Sequence, residues 1–94
     1  MIFVIDNLKY DTNKMQLISE QCEYSYTCDL FFGPTKCYGK NVKLWISAKG
    51  NWLLTYEAGI NICAKKLIDT EAKNMLLKYD LDKFEELFGK LEET

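Results

Sequence analysis

No histidine occurs in this chain, and its twelve basic residues are all lysines, so arginine is missing too. Histidine is the side chain that most readily moves protons near neutral pH, and it is the commonest metal ligand. Arginine is the usual bidentate reader of phosphate, carboxylate and guanine. Without either, most familiar routes to catalysis, metal binding and base-specific readout are closed. Proline is nearly absent, with Pro34 alone, which argues against an internal linker. Gly33, Gly39 and Gly50 are isolated, so the sequence holds no phosphate-cradling loop. No apolar stretch approaches the ~20 residues of a membrane-spanning helix.

What the chain does have is the material for a core. Ninety-four residues suffice for one domain, spanning 1–94, and not for two. Six Tyr, five Phe and two Trp are hard to bury in so small a body. An exposed aromatic patch, or a homodimer formed over it, is therefore expected. The cysteines Cys22, Cys28, Cys37 and Cys63 form no Cys-x-x-Cys pair. The start, Met1 to Asp6, has no basic leader, and its apolar run is too short for an export signal. The four read as reduced thiols of a cytoplasmic protein, partly buried as small apolar residues. Cys-only zinc sites need closely spaced pairs, so no metal and no cofactor is expected.

Net charge is −2 but unevenly spread. Residues 1–68 carry eight Lys against six acids, and residues 69–94 carry four Lys against eight. The acidic last quarter suits the solvated face of helices and can steer a basic partner.

Hydrophobic periodicity divides the chain at the same place: strands dominate 1–68 and helices 69–94. Ile2–Ile5, the turn signal Asp6-Asn7 and Leu8-Lys9-Tyr10 spell a small hairpin. Asp11-Thr12-Asn13 reads as a turn or a capped helical turn, after which Met15, Leu17 and Ser19 alternate with polar neighbours. Tyr24, Tyr26 and Cys28 alternate with Glu23, Ser25 and Thr27, the period of a half-buried strand. Leu30-Phe31-Phe32 runs into Gly33-Pro34, which is expected to end that element. Val42, Leu44 and Ile46 alternate with Lys43, Trp45 and Ser47. A second apolar run, Trp52 to Tyr56, follows across Gly50-Asn51, a pair able to supply positive φ for a tight hairpin. Cys63–Ile68 is a last extended segment.

From Asp69, an expected N-cap, the period becomes helical. Ala72, Met75, Leu76 and Tyr79 share one face. Asp80 can cap a second helix whose stripe is Phe84, Leu87, Phe88 and Leu91. Both stripes are expected to face the core. The fold class is α+β: an antiparallel sheet of four to six strands packed on two C-terminal helices.

Several of these segments resemble a known group. The turn Leu8-Lys9-Tyr10-Asp11-Thr12 precedes an aromatic stretch. The hairpin Ser47-Ala48-Lys49-Gly50-Asn51-Trp52-Leu53-Leu54 has Glu57-Ala58-Gly59 behind it. The tail runs Glu71-Ala72-Lys73, then Leu77 to Gly89. This pattern is similar to small proteins carried by phages and conjugative elements of low-GC Gram-positive bacteria. Ala58 stands where that group has a glycine, and the Gly/Ser-rich segment usual after it is shorter. The resemblance implies a genomic setting, a mobile element. Small proteins of such elements include anti-CRISPR and other counter-defence inhibitors, which bind a host nuclease or its guide complex.

No residue pattern points to catalysis. The cysteines have no histidine to activate them, and Ser19, Ser25 and Ser47 have only Lys or acids as bases. Glu85-Glu86 and Glu92-Glu93 are adjacent, so on a helix each pair diverges by about 100°. Nucleic-acid binding ranks second: Trp45, with Lys36, Lys40, Lys43 and Lys49, could stack and neutralise, against a net negative charge. Protein–protein binding ranks first, because Trp and Tyr dominate interface energetics. The candidate partner-binding residues are Tyr24, Tyr26, Tyr38 and Trp45, with Glu85 and Glu92 for steering. The expected activity is inhibition of a host defence protein or ribonucleoprotein, a Cas effector among them, by stoichiometric binding, with no enzyme chemistry and no membrane.

Overall fold

The computed structural model describes residues 1–31 and 33–94. Its central element is a four-stranded antiparallel sheet of order β3-β6-β7-β8: β3 Gln16–Ser19, β6 Lys40–Ile46, β7 Trp52–Ala58 and β8 Asn61–Leu67. Two further hairpins stand outside it, β1 Ile2–Ile5 with β2 Leu8–Asp11, and β4 Ser25–Leu30 with β5 Gly33–Tyr38. Helices α1 Asp69–Tyr79 and α2 Leu81–Phe88 close the chain. The α+β class stands, and no helix among the described residues is long and apolar enough to cross a membrane.

Local chemistry makes most of these elements. Asp6 and Asn7 adopt left-handed φ of 50° and 62°, as a two-residue hairpin loop requires. Asp11 accepts the Asn13 amide at 3.1 Å and caps a 3-10 turn over Thr12–Lys14. In the β6–β7 turn only Gly50 takes positive φ, 84°; Asn51 does not. Asp80 caps α2 through the Lys83 amide at 3.3 Å. The expected cap at Asp69 is corrected: Ile68 holds the N-cap position, and Glu71 accepts its amide at 3.0 Å. Asp69 instead accepts the Trp52 indole at 3.2 Å and Lys73 at 3.0 Å, tying the helix start to the sheet. The Lys73 contact first, then the indole, pulls the Asp69 carboxyl below its ordinary range.

The two faces of the sheet are covered differently. On one face Val42, Leu44, Trp52, Leu54 and Leu67 meet Ala72 and Leu76 of α1, with Ile18 and Cys22 completing the core. Burying a leucine contributes roughly 1.5–3 kcal/mol, so this layer dominates stability. Ser19 donates to Asp80 at 2.6 Å, latching β3 to the helix junction. The register of β3 slips between Leu17 and Ser19, so Ser19 stands opposite Leu44 and is buried beside Ile18, while Leu17, opposite Trp45, is partly exposed. That bulge overrides the simple alternation expected of Met15, Leu17 and Ser19.

The other face carries the cross-strand row Leu17, Trp45, Leu53 and Lys66. The β1–β2 hairpin lies over it. Asp6 in its turn pairs with Lys66, and Met1 and Phe3 line a cleft with Trp45 and Thr55. Leu53 is consequently as fully buried as Leu54, although the two point to opposite faces. The molecule therefore has three layers, hairpin, sheet and helices.

The second helix departs from expectation. None of its residues is fully buried. Phe84 packs against the core, while Leu87, Phe88 and Leu91 remain substantially exposed. This two-turn helix packs edge-on beside α1: Phe84 reaches the core and the Phe88 ring lies 5.1 Å from Phe84 and 6.4 Å from Trp52, while Leu81 and Leu87 stay exposed.

Candidate functional site

The feature that distinguishes this chain from a compact sandwich is the β4–β5 hairpin. Its strands pair with each other from Ser25↔Tyr38 to Leu30↔Gly33 and, among the described residues, with no strand of the central sheet. Beyond its base it makes few contacts with the rest of the fold. The radius of gyration is 14.6 Å, with extents of 47 × 34 × 19 Å, against about 12 Å for a compact chain of this length. The hairpin is an arm. β4 ends at Leu30, ahead of Gly33-Pro34 as expected, and that pair also opens β5, where an outer strand tolerates a proline. The Phe32 part of the Leu30-Phe31-Phe32 expectation lies outside the described residues.

The base of the arm is built from tyrosines and held by close packing. Tyr24 and Tyr26 lie over Tyr56 of β7, ring centroids 4.6 and 5.6 Å away. The Gly39 amide donates to the Tyr24 carbonyl at 2.9 Å and closes the hairpin. A Cβ on Gly39 would stand 2.9 Å from the Tyr56 Cβ, so only glycine fits where the arm returns to the sheet. Next to it β6 is bulged between Lys40 and Lys43, with Asn41 at φ 49° and its carboxamide held by Glu57. This bulge sets the direction in which the arm leaves. Gly39→Ala is expected to destabilise by about 1–3 kcal/mol through overpacking, read as a melting-temperature loss of at least ~4 °C. Adding Tyr56→Gly, which removes that Cβ, should recover part of that specific cost, and a purely additive double variant would argue against the contact.

The two faces of the arm differ in chemistry. One carries Tyr26, Cys28 and Cys37; the other carries Ser25, Tyr38, Thr27 and Lys36. On the first, the hydrogen bond the Cys37 thiol makes to Cys28 and then partial burial push that thiol up. Burial, then Cys28, does the same to the Tyr26 phenol, and burial followed by Tyr24 raises Tyr56. These groups stay neutral and act as packing. On the second face Tyr38 is 67% exposed, with the Lys36 ammonium 5.5 Å from its ring centre. Phe31 at the tip is 97% exposed.

The structure separates the residues singled out from the sequence. Tyr24 and Tyr26 are half-buried supports of the arm, and Tyr38 is its presented aromatic. Trp45 lies on the face away from the helices, half-buried beside the N-terminal hairpin, with its indole donating to Thr55 at 2.9 Å. Glu85 accepts the Leu91 amide at 2.9 Å and so organises the chain after α2; Glu92 is exposed beyond it. Tyr38 and Trp45 thus do not form one patch. Tyr56, Gly39 and Asn41 escaped the sequence reading because their roles depend on which hairpin packs on which strand.

All four cysteines are free thiols, and Cys22 is buried. Desolvation pushes the Cys22 thiol up, which lowers its thiolate fraction and its reactivity. Titration of the native protein with Ellman's reagent is expected to modify Cys28, Cys37 and Cys63 first and Cys22 only on unfolding. Simultaneous reaction of all four would contradict the buried position. Among the described residues, no group of three or more His, Cys, Asp or Glu is placed to hold a metal ion.

Comparison with protein-family models, with curated proteins and with solved structures returned no match.

Proposed function

We propose that this protein is a binding module of a mobile element. It inhibits a host defence assembly, CRISPR–Cas being the first to test, by stoichiometric engagement in the host cytoplasm. The observation that supports binding is the arm. It presents Tyr38 at its base, opposite Ser25, then Lys36 and Phe31 farther out, on a two-stranded element outside the central sheet. Holding aromatic residues out of the core costs stability unless a partner covers them, and aromatic anchors are the residues that dominate interfaces. The similarity of its turn, hairpin and tail to phage and conjugative-element proteins supplies the setting. The acidic stretch after Asp80 adds long-range attraction to a basic partner surface.

Replacing residues 28–35 by Asn-Gly, together with Lys36→Gln and Tyr38→Ala, joins Thr27 to position 36 through a tight turn, removes the whole presented face and leaves Tyr24 and Tyr26 on Tyr56. In a host carrying an active defence system, the intact protein is expected to copurify with the defence complex in a fixed ratio. It should also protect a targeted plasmid, and the shortened variant should do neither. Equal protection by both forms would rule out the arm as the binding element. A second reading, a small nucleic-acid-binding or regulatory protein of the element, is favoured by the exposed Tyr38 beside Lys36. That pair matches the stacking-plus-cation pattern used on single strands. Recovery of single-stranded nucleic acid and no protein partner would replace the first reading by the second.

A further inference from the structure

The lysines of this chain are not used evenly. Lys43, Lys66, Lys73 and Lys83 pair with carboxylates, and Lys36, Lys65, Lys73 and Lys78 sit over aromatic rings. Among the described residues, Lys9, Lys14, Lys40, Lys49 and Lys90 have neither kind of partner. Three of those five, Lys9, Lys14 and Lys49, line one cleft of about 430 Å³ between the β2 end of the N-terminal hairpin and the β6–β7 turn. Ser47 and Asn51 line it too. Asp11 is the single carboxylate among the described lining residues, and it is tied to the Asn13 amide. In a chain of net charge −2, three unpaired cations around one concavity do not follow from overall basicity.

We infer that this cleft is a binding site for a phosphoryl oxyanion. Ammonium groups are compact point charges with three donors each, and lysine binds phosphate in that manner where arginine would use a fork. Three such charges match a multiply charged phosphate better than the single charge of a carboxylate. The Ser47 hydroxyl and the Asn51 carboxamide can add neutral donors. Concave surfaces lined by one sign of charge raise the local concentration of the opposite ion. The cleft lies at the far end of β6 from the arm, so the site stands whether or not the arm binds a defence complex.

The phosphoryl group could be free or part of a nucleic-acid backbone, and titration of the isolated protein separates these. Amide shifts of residues 9–14 and 47–51 would be followed by NMR with pyrophosphate, an eight-nucleotide single strand and an octaglutamate peptide. Saturable shifts with pyrophosphate are expected, and tighter binding of the oligonucleotide would identify the backbone as the source. For three phosphate contacts on a single strand, the logarithm of affinity should fall with the logarithm of salt at a slope of about −2. Each of Lys9→Gln, Lys14→Gln and Lys49→Gln should flatten that slope by about 0.7. The triple variant should lose binding, while the control Lys40→Gln/Lys90→Gln, also unpaired but elsewhere, should keep it. Circular dichroism checks that these surface variants stay folded. Absence of saturable shifts at millimolar pyrophosphate, unchanged binding by the triple variant, or octaglutamate binding as tightly as the oligonucleotide would each overturn the assignment.

Discussion

Leu53→Ala and Leu54→Ala are each expected to destabilise the protein by about 2–5 kcal/mol, the cost of a cavity at a site that cannot collapse. Domains of this size are stable by roughly 5–15 kcal/mol, so either change removes a large share. Urea unfolding monitored by circular dichroism should show lower midpoints with unchanged slopes. The informative residue is Leu53. Leu54 faces α1, whereas Leu53 faces away from the helices and is buried through the β1–β2 hairpin. Phe3→Ala should therefore lessen the additional cost of Leu53→Ala and leave that of Leu54→Ala unaltered, since coupling appears between residues of one packed layer. A cost under about 1 kcal/mol at Leu53 would mean the hairpin is not a packed layer.

Tyr38→Ala is the matching test of binding. Its side chain is mostly exposed, so the melting temperature should hold. Truncating an aromatic anchor commonly costs on the order of 2 kcal/mol or more, or roughly 30-fold in affinity for the defence complex. Trp45→Ala should behave in the opposite way. It removes the hydrogen bond to Thr55 and half-buried packing beneath the N-terminal hairpin, so stability falls before any interface is reached. Glu92→Lys, at an exposed position in the acidic tail, should slow association and do so less at high salt. Affinity unaffected by Tyr38→Ala, with the protein folded, would remove the arm's exposed face from the interface.

Much of the architecture was legible in order of residues, because it is local. Asp6-Asn7 and Gly50 supply the positive φ their hairpins need, Asp80 caps α2, and the stripe Ala72, Met75, Leu76, Tyr79 is the helix face that meets the sheet. Alternation in β6 correctly put Trp45 opposite Val42, Leu44 and Ile46. These are properties of three to eight consecutive residues, and backbone sterics and period settle them without reference to the rest of the chain.

What escaped is what depends on pairs far apart in sequence. Alternation says that Leu53 and Leu54 point to opposite faces, but not that a hairpin fifty residues upstream covers the second face. The stripe on α2 looks as core-like as that on α1. Only the prior occupation of the sheet by α1 leaves Leu87 outside and Phe88 at the rim, its ring beside Trp52 yet 41% exposed. Tyr24, Tyr26 and Tyr38 are alike as residues, and the β4–β5 register, which sets Tyr38 opposite Ser25 and Cys37 opposite Tyr26, puts the first two on Tyr56 and turns the third outward. The three lysines of the cleft are scattered over forty residues and converge only because the N-terminal hairpin folds back beside the β6–β7 turn. The sequence by itself determined the elements and their amphipathic faces, since propensity and periodicity are local. Tertiary structure alone decided which faces stay open and which charges stand together, since both are set by competition among distant elements for the same two sides of one sheet.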